Sequence, residues 1–517
     1  MIAVRDTDRI PRRRLRDRVV MLGACGVLLT ALYVPPAAAP AATQRAGADG
    51  TATDAAVPPE LRRYYQQELR WEPCGDAAPS FQCTTVKVPL DYALPDAGDI
   101  GLTAARKKAT GNGAGIGSLL VNPGGPGVSA IDSLVATADS FPPSVRASYD
   151  LVAVDPRGVR YSTPVDCKLD IPTTPMGFGL HPSVNPAEIG AHDVAFKQVA
   201  DACARHAGWL LPHVGTPDAA RDMDVLRSLL GDDRLHYVGY SYGTYLGATY
   251  AELFPSRVGR LVLDGAVDPA LDGYQFVLGQ VGGYQDAWES FAADCAARAD
   301  CPMGHSVEEA GRRLDTLRRS LDRTPLRLGK DISVTGDYFI GAVTVALLTA
   351  QWEQLRAALR GVLAGDATAL QQFLSDGIPY DEHLAVACLN PPFGPRLTPA
   401  QTQAALPQFL RTSPQFGEWG VTTLMQCAHW PVQRTQTAHP ITAPGAAPIL
   451  VVGNTHDPAT PYSMAKALAR QLSSGRLLTY DGDGHSAYLL RGSTCIDTAV
   501  DRYLTRGQLP PTGKVCT

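Results

Sequence analysis

An α/β protein is what the sequence predicts: an eight-stranded, mostly parallel, doubly wound sheet interrupted by a large inserted helical cap. Three observations predict it. Short apolar, β-branched runs recur along the chain with long helical or loop crossovers between them. From the third run onward they are almost wholly apolar, as parallel strands covered on both faces must be. One long interval then breaks the alternation. Taken in order, the runs are residues 83–90, 99–106, 117–122, 150–155, 234–240, 259–264, 448–453 and 476–481. The interval 270–445 has no comparable strand and carries helical patterns at 307–321, 337–348 and 351–363, broken by Pro- and Gly-rich loops. The expected organisation is therefore a core of 58–269 and 446–517 with a cap of 270–445.

Composition narrows the function. The 517 residues are 45% hydrophobic, 19% charged and 7% aromatic, a balance that buries a large core and excludes a disordered or fibrous chain. The net charge is −5 and no basic block lies beyond the extreme N-terminus, which excludes a nucleic-acid partner. That N-terminus has seven arginines between Arg5 and Arg18, an apolar run over 19–34 and then Pro35-Pro36-Ala37-Ala38-Ala39. Residues 1–39 read as a secretory signal peptide, because the apolar run falls short of the ~20 residues a membrane span needs. Leu22-Gly23-Ala24-Cys25 resembles a lipoprotein box, but most of the apolar run follows Cys25 instead of preceding it. Residues 40–57 lack periodicity and read as a disordered lead-in. The expected product is an exported chain with no stable membrane span.

Removal of the leader turns eleven cysteines into ten: Cys74, Cys83, Cys167, Cys203, Cys295, Cys301, Cys388, Cys427, Cys495 and Cys516. In an oxidising compartment ten cysteines allow five disulfides. Nearest-neighbour pairing would give 74–83, 167–203, 295–301, 388–427 and 495–516, although sequence does not fix connectivity. No CxxC or paired-His spacing points to zinc. Asp481 and Asp483 do not open a calcium loop, since its twelfth position is Gly492. No cofactor is expected.

The chemistry gathers after strands. The run 234–240 leads into Gly239-Tyr240-Ser241-Tyr242-Gly243 and then a helix-compatible segment, the setting in which a nucleophilic serine stands out on a sharp turn. Ser241 needs a base. The last strand is followed by Gly482-Asp483-Gly484-His485, which places His485 on a glycine-flanked loop. The acid should follow the preceding strand, where Asp457 sits in Asn454-Thr455-His456-Asp457-Pro458-Ala459-Thr460-Pro461. Asp264, ending the strand before the cap, is its rival. The chain order Ser241, Asp457, His485 favours Asp457. Thr460 reads as a helix N-cap before an N1 proline, fixing the acid's loop. Amide donors for an oxyanion are expected from Asn122-Pro123-Gly124-Gly125-Pro126-Gly127, at Gly125 or Gly124, and from Tyr242 directly after the nucleophile.

With these residues in view the chain resembles the secreted bacterial tripeptidyl aminopeptidases, relatives of prolyl aminopeptidases within the α/β-hydrolase serine exopeptidases. The resemblance runs through Trp71-Glu72-Pro73-Cys74, Val86-Lys87-Val88-Pro89-Leu90-Asp91-Tyr92, Val154-Asp155-Pro156-Arg157-Gly158, Leu261-Val262-Leu263-Asp264-Gly265 and Cys427-Ala428-His429-Trp430-Pro431, besides the segments around Asn122, Ser241 and Asp457. It implies an α/β-hydrolase fold, a Ser241, Asp457 and His485 triad, and a peptide substrate with a free N-terminus, cleaved through an acyl-enzyme to release short peptides, tripeptides by analogy. It also gives the cysteines places, with 74–83 tying the lead-in to the first strand, 388–427 stapling the cap and 495–516 pinning the C-terminal helix. Two positions depart from the pattern: Val159-Arg160-Tyr161 replaces a Gly- and Arg-containing stretch, and His429 replaces an acidic residue. An aminopeptidase also needs a carboxylate for the substrate ammonium. Glu353 beside Trp352 is the first choice in the cap, with Asp337, Glu382 and Glu418 as alternatives. The rival readings are an exported carboxylesterase, amidase or lactonase on the same triad, which the family also contains, and an inactive binding protein on a hydrolase scaffold.

Overall fold

The computed structural model describes residues 57–111, 115–169, 186–329, 332–373, 379–434 and 436–517. The leader read at 1–39, Cys25 and all but the last residue of the lead-in lie outside them. The strands in chain order are β1 (Glu72–Pro73), β2 (Gln82–Pro89), β3 (Asp99–Lys107), β4 (Gly117–Asn122), β5 (Tyr149–Val154), β6 (Leu235–Tyr240), β7 (Val258–Asp264), β8 (Leu326–Leu328), β9 (Ile332–Val334), β10 (Ile449–His456), β11 (Gly475–Asp483) and β12 (Val515–Cys516). Ten of them form one sheet in the order β1-β2-β3-β5-β4-β6-β7-β10-β11-β12. The pairs from β5 to β12 are parallel, and β1, β2 and β3 join antiparallel at one edge.

Alternation along the central strands explains why they read as continuous apolar runs. Leu120, Val152, Tyr237, Leu261, Leu263, Ile449 and Val451 pack on one face of the sheet. Leu119, Val121, Leu151, Ala153, Val238, Val262, Leu450 and Val452 pack on the other. Both faces are therefore buried under helices. A buried ion pair fastens the antiparallel edge: Arg157, fully buried, holds Asp222 through two bonds of 2.7 Å and donates to the carbonyls of Pro89, Leu90 and His213.

The sheet has ten strands, against an expectation of eight. The additional β1 and β12 are two-residue edge strands, too short to show a period, and each is tied to its neighbourhood by a disulfide. Between β7 and β10 the described helices include Gly273–Ala296, Val307–Arg323, Gly336–Thr349, Trp352–Leu363, Tyr380–Ala387 and Pro399–Thr412. The same insertion contains the β8–β9 hairpin, where the sequence shows no strand comparable to the core ones. Much of it has a core of its own, centred on Trp288, Phe291, Phe339, Leu347, Leu355 and Phe373.

Five disulfides join Cys74–Cys83, Cys167–Cys203, Cys295–Cys301, Cys388–Cys427 and Cys495–Cys516. Each links cysteines adjacent in the ten-cysteine order, and the set fits an oxidising compartment. No helix among the described residues is long and apolar enough to cross a membrane.

Candidate active site

Because β4, β6, β7, β10 and β11 run parallel, the loops after them meet at one edge of the sheet. β6 ends at Tyr240 and the Tyr242–Leu253 helix starts two residues later, leaving Ser241 at φ 55°, ψ −124°. That region costs a non-glycine residue on the order of 1–3 kcal/mol and persists only where neighbours over-determine it. Here the Ser241 N–H donates to Asp264 O at 3.0 Å, while Ser241 O accepts from Thr244 N at 2.8 Å and Thr244 Oγ1 at 2.6 Å. The glycines two residues away on either side are obligatory. A Cβ at Gly239 would stand 2.5 Å from Gly243 O, and one at Gly243 would stand 2.8 Å from Asn122 O.

Asp457 follows β10 and His485 follows β11. Nδ1 of His485 lies 2.9 Å from each Asp457 carboxylate oxygen. The Asp457 side chain is fully buried, and it also accepts from the amides of Ala459 and Thr460 at 2.9 Å, from Thr460 Oγ1 at 3.2 Å and from Ser486 N at 3.3 Å. The helix expected to be capped by Thr460 begins instead at Tyr462 with Pro461 as its N-cap, and Thr460 donates its N–H and Oγ1–H to Asp457. Nε2 of His485 has no hydrogen-bond partner and faces the shared cavity with Ser241, although no hydrogen bond joins the two.

Asp264 serves the same loop differently. Its carboxylate accepts from Ala487 N at 3.0 Å and Tyr488 N at 2.7 Å, so it anchors the chain just after His485 and does not touch the imidazole. Burial pushes its pKa up to about 6 against the pull of those amides. Gly265, at φ 66°, lets the histidine ring approach: a Cβ there would meet His485 Cε1 at 2.9 Å.

The loop after β4 holds the glycines at which amide donors for an oxyanion are expected. Gly124 N donates to Asn122 Oδ1 at 3.0 Å, which commits it and leaves Gly125. Tyr242 opens its helix, so its N–H has no intrahelical acceptor. Both Gly124 and Gly125 have positive φ, and a Cβ at Gly124 would stand 2.9 Å from Ser241 Cβ. Asp155 secures the following helix by accepting from Ser129 Oγ at 2.9 Å and Ile131 N at 3.0 Å.

A cavity of about 490 Å³ lies between this edge and the insertion, lined by Gly125, Ser241 and His485 on one side and by Phe276, Phe393 and Trp419 on the other. Glu353 is not brought to it. The residue is exposed in the first turn of the Trp352–Leu363 helix and does not line the cavity. Glu418 pairs with Arg318 at 2.7 Å, and Asp337 is half-buried near Asp322 and Arg318 with its pKa pushed up to about 8 by desolvation. Glu382 is buried, accepts from Arg160 N at 3.0 Å and has its pKa raised to about 7 by burial. The sequence places Thr460 at the acid's loop and Gly265 after Asp264, but the direct hydrogen bonds of Thr460 to Asp457 and the close approach of Gly265 to His485 are contacts that spacing does not encode. The signal for Gly265 was its position directly after Asp264.

The sheet, the strained serine turn and the buried histidine–carboxylate pair define an α/β-hydrolase of the serine hydrolase class. A family profile described as TAP-like protein matches residues 413–516. The chain is 35% identical over 482 residues to serine protease Hip1 of Mycobacterium tuberculosis, covering 87% of this chain and 91% of that protein. It is 37% identical over 460 residues to carboxylesterase B of the same organism, covering 84% and 86%. To the tripeptidyl aminopeptidase of Streptomyces lividans it is 30% identical over 539 residues, covering 97% and 98%. The chain belongs to the tripeptidyl aminopeptidase family.

Proposed function

We propose that the protein is a secreted serine exopeptidase that releases short peptides, tripeptides by analogy with its relatives, from the free N-termini of peptides. The observation that carries the chemistry is the pairing of His485 Nδ1 with a fully buried Asp457 beside a serine on a strained turn. Since the carboxylate accepts, Nδ1 carries the proton and Nε2 is the basic nitrogen. Ser241 Oγ attacks the scissile carbonyl carbon while its proton passes to His485 Nε2. Charge then gathers on the carbonyl oxygen, where the amides of Gly125 and Tyr242 donate. His485 returns the proton to the leaving amine, the C–N bond breaks and an ester to Ser241 remains. Water, deprotonated by the same nitrogen, cleaves that ester and regenerates the serine.

Peptide substrates are supported by the relatives named serine protease and tripeptidyl aminopeptidase. Five disulfides support maturation outside the cytoplasm. The alternative of an esterase draws on the relative named carboxylesterase B and on the apolar walls of the cavity. Chromogenic tripeptide amides with free and N-acetylated termini separate the two. Loss of turnover on acetylation is expected, and equal turnover would sink the exopeptidase reading. Ser241→Ala is expected to abolish fluorophosphonate labelling and to lower kcat by about 10⁶-fold.

A further inference from the structure

None of the described residues lining the cavity is an Asp, Glu, Lys or Arg. A peptide amine brought there meets no carboxylate, but it does meet neutral acceptors. Gln426, in the turn after the Thr423–Met425 segment, lines the cavity and is 7% exposed. Its Nε2 donates to Phe393 O at 2.8 Å, which fixes the amide's orientation because a carbonyl only accepts. Gln426 Oε1 is then left buried with no hydrogen-bond partner among the described residues. Unpartnered buried acceptors are rare in native interiors and call for a donor. His383, also on the cavity wall, has Nδ1 2.9 Å from Pro126 O. By the same reasoning Nδ1 carries the proton and Nε2 presents a lone pair. Burial pushes its pKa down, keeping the ring neutral.

We propose that Gln426 Oε1 and His383 Nε2 receive the N–H groups at the amine end of the substrate peptide, so that the site reads a peptide N-terminus by hydrogen-bond geometry and not by a counter-charge. This rests on the peptidase reading above. Both acceptors are held in place relative to the reacting atoms. The Cys388–Cys427 disulfide ties the residue after Gln426 to the end of the helix that carries His383. His383 packs on the oxyanion loop so closely that a Cβ at Gly127 would stand 2.8 Å from its backbone nitrogen.

The test compares Gln426→Leu and His383→Phe with the wild type on a free-amine tripeptide anilide, its N-acetyl counterpart and p-nitrophenyl butyrate, an ester with no N–H. Losing a hydrogen bond to an ammonium group weakens binding roughly 10- to 100-fold. Gln426→Leu is therefore expected to raise KM for the free peptide by about tenfold or more relative to any change for the ester, with kcat much less affected, and His383→Phe, which also gives up its bond to Pro126 O, is expected to raise the peptide-to-ester KM ratio by about tenfold or more. Equal losses on peptide and ester, or a matching fall in the rate of fluorophosphonate labelling, would assign both side chains to packing and overturn the proposal. Wild-type enzyme that does not distinguish free from acetylated peptide defeats the exopeptidase reading by itself. A selective wild type whose preference survives both substitutions defeats only the assignment of Gln426 and His383.

Discussion

At the carboxyl edge of the sheet, the buried carboxylates of Asp457 and Asp264 are tightly partnered. Asp457 accepts from four donors besides the imidazole-bearing residue's ring, and Asp264 holds two successive amides. Across the cavity, the insertion between β7 and β10 presents aromatic and aliphatic walls, and its carboxylates are turned to solvent or bound elsewhere, as with Glu353 and Glu418. Where charge must develop, the protein supplies preorganised polar groups from rigid strand ends. Where a substrate must be selected, it supplies shape and a few neutral acceptors. The contrast separates reaction type, set by the sheet, from specificity, set by the insertion.

The contrast breaks most visibly at the two aspartates. Asp457→Asn is expected to lower kcat by about 10⁴-fold, since the amide no longer holds the productive imidazole tautomer. A loss of less than tenfold would mean that another group orients His485. Asp264→Asn should cost roughly 10- to 100-fold, because one donor face would confront the Ala487 and Tyr488 amides and shift the loop without removing the imidazole's partner. If the two substitutions cost equally, the division between an orienting and an anchoring carboxylate fails.

Glu382 tests the insertion's side through pH. Its pKa is about 7 in the folded protein against 4.5 ordinarily, because burial disfavours the charged form. The unfolded chain therefore ionises first as pH rises, and this residue's contribution to stability falls between about pH 4.5 and 7. Glu382→Gln keeps an acceptor for Arg160 N and removes the ionisation. Relative to wild type, the variant should gain on the order of 2 kcal/mol between pH 4.5 and 7.5 in thermal or urea unfolding. A difference that does not change with pH would remove Glu382 from the titration. The smallest effect is expected at Glu353, where substitution by Gln should change kcat/KM by less than about twofold. A tenfold loss would return the amine site to that helix.

Much of this was legible in the sequence, and the reasons are physical. Strands buried on both faces must be apolar throughout, so β4, β5, β6, β7 and β10 announce themselves, as does the serine turn that needs glycines two residues away on each side. β1 and β12 were hidden because two residues have no periodicity. The choice of Gly125 over Gly124 depended on Asn122 Oδ1 occupying the Gly124 amide, a contact that spacing does not encode. Glu353, the first choice for the amine site, lies off the cavity for a related reason. Which face of an inserted helix looks into a cavity is decided by packing against other inserted helices, and Gln426 acquires its unpartnered oxygen only because Phe393 O takes its nitrogen.

The neighbours β7 and β10 pair in register, Leu261 opposite Ile449, with residues 265–448 looped between them. A ribosome therefore completes the serine turn, and the Asp264 carbonyl that holds it, long before Asp457 and His485 exist. The growing chain carries its nucleophile without a base until β10 has seated beside β7 and β11 beside β10. Topology thus ties assembly of the proposed triad to completion of the insertion: Ser241 can meet Asp457 and His485 only after residues 265–448 have been made and β10 has seated beside β7.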